Sequence, residues 1–188
     1  MDLIGYHGTD ASNHESIKNN NFNVSCNNDD WLGVGVYFFI DGVSCPIENA
    51  REWAVNQAYD KSSHSNKYEY FVVLKARIVL EKVFDTRSDK ALNVFNELRN
   101  AILDEHNHRF TVKNALHEND KIIWDIISAL NKFDGIIHNL YIKNKFQRIK
   151  KVHSNVPNAT VLCVKDNVNI EVESIEQETS GSVNNGLR

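Results

Sequence analysis

A single α+β domain is predicted by three features of this sequence: one long alternating run, two helical amphipathic runs, and an N-terminal third punctuated by glycine. Residues 68–80 set Tyr70, Val72, Leu74, Ala76, Ile78 and Leu80 against Glu69, Lys75 and Arg77, the two-residue period of a half-buried strand. Residues 88–103 and 118–132 instead repeat apolar side chains three and four apart, through Leu92, Phe95, Leu98 and Ile102 and through Ile122, Ile123, Ile126, Ile127 and Leu130. With 188 residues, 41% of them hydrophobic, the chain can bury one substantial core.

The remaining elements follow in chain order. Leu3-Ile4-Gly5-Tyr6-His7-Gly8-Thr9 starts apolar and ends among glycines, which predicts a strand whose end lies close to a ligand or another backbone. Residues 11–20 read as a helix capped by Asp10 or Ser12 and ended by Asn19-Asn20-Asn21, with a loop to Asp30. Gly33 and Gly35 then feed a strand, Val36-Tyr37-Phe38-Phe39, whose alternation sends Tyr37 and Phe39 to one face and Val36 and Phe38 to the other. Residues 48–59 read as a second helix through Ala50, Trp53 and Ala54, and residues 61–67 as an exposed polar stretch. Beyond the amphipathic pair, residues 134–138 predict a short buried strand, and residues 159–165 and 168–172 predict closing strands. From Glu176 onward the composition predicts a disordered tail, which leaves residues 1–175 as the domain.

Composition narrows the class of function. A formal net charge of -4 argues against a generally basic coat for nucleic acid, although a local patch escapes that argument. Cys26, Cys45 and Cys163 are odd in number and have no metal spacing, so neither a disulfide framework nor a metal site is expected, and a reducing cytoplasm fits them. His106, His108 and His117 lack a compact ligand set and read as surface histidines. No apolar run reaches signal or membrane length, so no membrane partner is expected.

Three groups of residues carry chemistry. A neutral imidazole at His7 can donate from one nitrogen and accept on the other, and the bare main chain at Gly8 can pair in both directions with a carboxamide. The Tyr37 ring suits stacking on a planar heterocycle. Residues 141–153 place Lys143, Lys145, Arg148, Lys150 and Lys151 among Tyr141, Phe146 and His153 with no acid between them, a pattern that suits phosphates on cations and bases on rings.

Tyr6-His7-Gly8-Thr9, Trp31-Leu32-Gly33-Val34-Gly35-Val36-Tyr37-Phe38 and the later Ala50-Arg51-Glu52-Trp53-Ala54, taken in this order, resemble the NAD-binding part of the diphtheria-toxin and poly(ADP-ribose)-polymerase class of ADP-ribosyltransferases. The match covers about the first third of the chain closely and the remainder in outline. The resemblance implies two packed, mostly antiparallel sheets with surrounding helices, NAD as co-substrate, and no metal. It implies that His7 holds the adenosine-side ribose, that Gly8 pairs with the nicotinamide amide while Thr9 steadies the turn, and that Tyr37 stacks on the nicotinamide ring. Asn49 or Ser44 falls where relatives place a serine near that amide.

The family's catalytic glutamate has no counterpart. Its place on the closing strand falls on Val161, or on Thr160 after a one-residue slip, and the two cannot face the same way. The acceptor or another side chain must then supply the missing anion; Glu69 and Asp134 are candidates, and Glu171 and Glu173 weaker ones. The resemblance implies a mono-ADP-ribosyltransferase acting on a macromolecule, in the manner of a toxin or defence effector with a neutralising antitoxin partner, and the basic run of residues 141–153, standing before the closing strand where the class recognises its acceptor, slightly favours RNA or DNA over protein. The alternative is a catalytically inactive module that binds NAD or ADP-ribose within a larger complex.

Overall fold

The computed structural model describes residues 1–27, 30–111 and 116–183 and has mixed α and β character. Among the described residues the strands are β1 (Asp2–Asp10), β2 (Val36–Phe39), β3 (Tyr59–Asp60), β4 (Ser65–Asn66), β5 (Tyr70–Val79), β6 (Val83–Asp85), β7 (Gly135–Leu140), β8 (Ala159–Val164) and β9 (Glu176–Ser182). The α-helices are α1 (His14–Asn20), α2 (Pro46–Gln57), α3 (Asp89–Glu105), α4 (Leu116–Asn131) and α5 (Lys145–Ile149).

Seven strands form one sheet in the order β6-β7-β8-β2-β1-β5-β9, antiparallel throughout except for β6 and β7, while β3 and β4 form a small hairpin. In place of two separate sheets, the structure has two halves joined at a single residue pair, Tyr6 with Phe39. Phe38, Leu162 and Val164 of one half share a buried cluster with Val72, Leu74, Ala76 and Ile78 of the other. The approach is close: a Cβ on Gly5 would lie 2.8 Å from both Phe38 and Ile78. The opposite face is covered by helices, with Ala50, Ala54 and Ala58 of the α2 segment, Ile102 of α3 and Ile123, Trp124 and Ile127 of α4 meeting Val73, Ile136, Val161 and Cys163.

Local chemistry explains where the elements start and stop. Asp10 accepts from the Ser12 N–H and opens a short 3-10 turn that leads into α1, which ends where Asn21 takes a positive φ of 68°. Pro46 stands in the first turn of α2, where a missing N–H costs nothing. Ser88 caps α3, its hydroxyl accepting from the Ala91 N–H.

Three expectations need correction. Residues 168–172 are not a strand: Asp166 accepts from the Val168 N–H and starts a 3-10 turn, a second such turn covers Val172–Ser174, and only Ile170 bridges to Ile78. In β5 the alternation fails at its start, because Phe71 and Val73 lie under α2 while Val72 and Leu74 face the other cluster, and Tyr70 is 61% exposed. The supposed disordered tail contains β9, which pairs with β5 from Tyr70 to Lys75; the last five residues, 184–188, lie outside the described ones.

Because Val183 is buried and its N–H bonds to the Glu69 carbonyl, removing residues 176–188 should lower stability by at least about 2 kcal/mol in a denaturant titration. Amide exchange should quicken at Phe71 and Val73, whose N–H groups face β9, as β5 becomes an edge. An unchanged midpoint would show that the segment contributes nothing to the fold.

Candidate functional site

The sheet's weak joint is where the predicted residues meet. Continued past Tyr6 and Phe39, the antiparallel register would set Gly8 opposite Tyr37. Instead the strands part, and the Tyr37 carbonyl accepts from His7 Nδ1 at 2.8 Å. Residues two apart on a strand direct their N–H and C=O to the same side. Gly8 therefore turns its peptide groups into the gap, while the backbone carbonyl that could have met them is bonded to the imidazole. Opposite Gly8 lies α2, so close that a Cβ would sit 1.9 Å from the Ala50 carbonyl oxygen. The glycine is thus demanded by helix packing as well as by any ligand.

Since a carbonyl can only accept, the His7 bond fixes the imidazole as the Nδ1–H tautomer and leaves Nε2 as an acceptor. The ring sits edge-on to Phe22 and Phe38, with centroids 5.1 and 5.9 Å away, and burial drives its pKa below the ordinary 6.5.

Tyr37 is held by its hydroxyl, which donates to the Gly33 carbonyl at 2.6 Å and accepts from the Leu32 N–H at 2.9 Å. Burial pushes that phenol far above its usual range, so it stays protonated and the ring is pinned. The glycine loop is clamped from two further sides: Lys165 Nζ donates to the Leu32 and Val34 carbonyls, and Asp125 accepts from the Val34 N–H at 2.7 Å. Gly33 has a φ of 81°, and a Cβ there would strike the Asp125 carboxylate at 2.3 Å.

His7, Gly8, Tyr37 and Val161 line one cleft of about 740 Å3, within the range of ligand pockets. Trp31 and Trp53, edge to face at 5.8 Å, line it as well, with Asn23, Asn27, Gln57, Ile142 and the acids Asp30 and Glu118. The register with β2 settles the direction of β8. Val161 faces the cleft, whereas Thr160, fully buried, points away: its hydroxyl donates to Asn139 Oδ1 at 2.8 Å and accepts from the Val43 N–H at 3.0 Å. Thr160 is therefore a packing residue and not a site residue.

Other candidates fall outside the cleft lining. Thr9 accepts from Asn13 Nδ2 at 3.0 Å and ties β1 to the following turn. Asn49 donates to Ser44, whose hydroxyl donates to the Asn158 carbonyl, a chain that anchors the start of α2. Asp134 accepts from the Glu81 and Lys82 N–H groups in a distant turn, and Glu69 is exposed and not part of the cleft wall. Glu171 pairs with Arg77, and Glu173 lies in the neighbouring 3-10 turn. His106 and His108 lie at the end of α3 away from the cleft, and the His117 side chain lies outside the described residues.

The sequence reading missed the two acids that do line the cleft. Asp30 is buried and committed to its own loop, accepting from Ser25 Oγ at 2.9 and 3.0 Å and from the Asn27 N–H at 2.7 Å. Glu118 stands in the first turn of α4.

The basic segment forms α5 and its flanks, beginning just after Ile142 of the cleft wall. Lys143 Nζ bonds to His153 Nε2 and Arg148 Nε donates to the Lys143 carbonyl, so two of the five cations fold onto the segment itself. Lys150 and Lys151 are exposed and Lys145 is half-buried.

No protein-family model and no curated protein matches this chain.

The buried imidazole makes stability depend on pH. The unfolded chain protonates His7 near 6.5, whereas the native site binds that proton only at lower pH, so this contribution is fully present above 6.5 and is lost as pH falls toward the lowered value. Urea midpoints should decline across that window, and His7→Gln should flatten the decline. A wild-type slope retained in His7→Gln would assign it to other groups.

Proposed function

We propose that this chain is an NAD-dependent mono-ADP-ribosyltransferase that passes ADP-ribose to a macromolecular acceptor and releases nicotinamide. The observation that supports it most is the parted end of β1 against β2, which puts the His7 Nε2 acceptor, the Gly8 peptide and the Tyr37 ring on one cleft. A carboxamide offers N–H donors and a carbonyl acceptor, which the Gly8 C=O and N–H complement. Neutral His7 accepts from a ribose hydroxyl. Tyr37, pinned by its hydroxyl, offers a fixed face for a planar ring. Among the described lining residues there is no lysine or arginine, so a diphosphate would rely on neutral donors such as the Asn23 and Asn27 amides.

NAD supplies a glycosidic bond to a neutral leaving group, and its cleavage leaves positive charge on the ribose. On β8 that charge would meet the apolar Val161, so the stabilising carboxylate must come from elsewhere. We assign this role to Glu118, which lines the cleft from the first turn of α4. The family ordinarily uses an acid on the closing strand; here one on a helix across the cleft replaces it. Lys145, Lys150 and Lys151 beside the cleft favour a nucleic-acid acceptor.

Labelled NAD incubated with separate pools of RNA, DNA and protein tests the reading. Tyr37→Ala should weaken NAD binding by about 1–3 kcal/mol, in the manner of a lost stacking platform, and abolish nicotinamide release. Glu118→Gln should keep NAD binding while slowing transfer by about 100-fold. Wild-type protein that binds NAD but transfers to no pool would instead be a binding module, and the transferase reading would fall.

Neutralising Lys145, Lys150 and Lys151 together should impair transfer without impairing NAD binding and should flatten the salt dependence of acceptor binding, since each lost phosphate contact releases fewer counterions. Unchanged transfer and an unchanged salt slope would reduce the segment to a solvated face.

A further inference from the structure

A second cavity, about 320 Å3, lies against the first, and Trp31 belongs to both walls. Its size suits a single ring system better than a dinucleotide. Phe95 and Trp124, stacked with centroids 4.4 Å apart, supply aromatic wall, and Leu140 supplies aliphatic wall. Two polar residues face this apolar setting, Asp120 from α4 and His138 from β7.

The protonation of His138 follows from its neighbours. The Thr86 hydroxyl donates its one proton to the Ile137 carbonyl at 2.9 Å, so at 2.7 Å it must accept from His138 Nδ1–H. Nε2 is left as an acceptor. Burial lowers the pKa of this ring, which keeps it neutral. The imine nitrogen of His138 asks a ligand for an N–H or O–H donor, and the Asp120 carboxylate repels anions. A flat, uncharged ring edged with N–H groups answers both demands.

Resting on the transferase reading given above, we propose that this cavity receives one unstacked nucleobase of a single-stranded nucleic-acid acceptor, packed against Trp31 and the Phe95–Trp124 wall with an N–H of its edge toward His138. Chain continuity favours this occupant. The strand that carries His138 and Leu140 runs directly into Ile142 of the larger cleft and then into the segment of Lys145, Lys150 and Lys151, where the flanking phosphates find cations. A base seated here lies beside the cleft in which NAD would react, separated from it by the Trp31 ring.

The test compares binding of a short mixed-sequence single-stranded RNA, its DNA counterpart, and an abasic strand of equal length, read by tryptophan fluorescence. The base-bearing strands should bind about tenfold more tightly than the abasic one, and Leu140→Trp, which fills the cavity, should remove that difference while leaving NAD binding intact. Equal affinity for the abasic strand, or no effect of filling the cavity, would overturn the proposal. So would displacement of the strand by NAD alone, which would give the cavity to the dinucleotide. Should Leu140→Trp fail to fold, a 4-thiouridine strand crosslinked to wild-type protein decides the matter: adducts on Trp31, Phe95 or Trp124 support the site, and adducts confined to residues 141–153 overturn it. Base-dependent binding in a protein that never consumes NAD would leave this pocket standing and remove the transferase reading instead.

Discussion

One hydrogen bond organises this molecule: His7 Nδ1 to the Tyr37 carbonyl. Without it the two halves of the sheet would be free to zip together past Tyr6 and Phe39, and the Gly8 peptide would be spent on the ladder. With it, a side chain substitutes for a main-chain partner, and the sheet stays continuous at one pair while opening at the next. The cost of burying the imidazole is held down by the same bond and by its edge contacts with Phe22 and Phe38. A parted joint in a sheet exposes backbone donors and acceptors that no surface side chain could place so rigidly.

The joint works only because the loop before β2 is rigid. Tyr37, Lys165 and Asp125 reach it from three elements and between them engage the Leu32 and Val34 main chain on both sides and the Gly33 carbonyl. Lys121 in turn pairs with Asp125 at 2.7 Å, so the loop is tied through α4 to the helical layer. This gives the glycines a different meaning from the one a motif suggests. Gly33 is required by a positive φ and by the Asp125 carboxylate, and Gly35 by the Cys163 thiol, 2.4 Å from where its Cβ would be. They shape the platform that carries Tyr37, and Gly35 also lines the cleft.

Sequence reading succeeded where the information was local. The alternation that places Tyr37 opposite Phe38, the closing strand and both amphipathic helices were legible because each is written in consecutive residues with one period. Phe71 and Val73 could not be read as doubly buried, since that depends on α2 crossing them from far along the chain. Nor could β9: its Ser, Gly and Glu residues carry no apolar period, and its order comes from an open edge of β5 and from Val183. Choosing between Thr160 and Val161 required the partner register, as any one-residue slip exchanges faces. Glu118 had no local signal because, on the sequence, it is one more acid at a helix start.

Charge is distributed unevenly around the joint, and this constrains any chemistry there. The described walls of the larger cleft hold two acids and no fixed cation, while the lysines of residues 143–151 stand outside it. Such a cleft favours a developing positive centre and disfavours a tightly held anion. A dinucleotide would therefore be gripped by its rings and ribose hydroxyls more than by its diphosphate, which places most of its binding energy on Tyr37, His7 and Gly8. An anionic partner would be better served by the external lysines. The acids thus share the cleft wall with the paired rings of Trp31 and Trp53, while the lysines follow Ile142 on the segment outside it, so the two signs of charge are segregated along the chain.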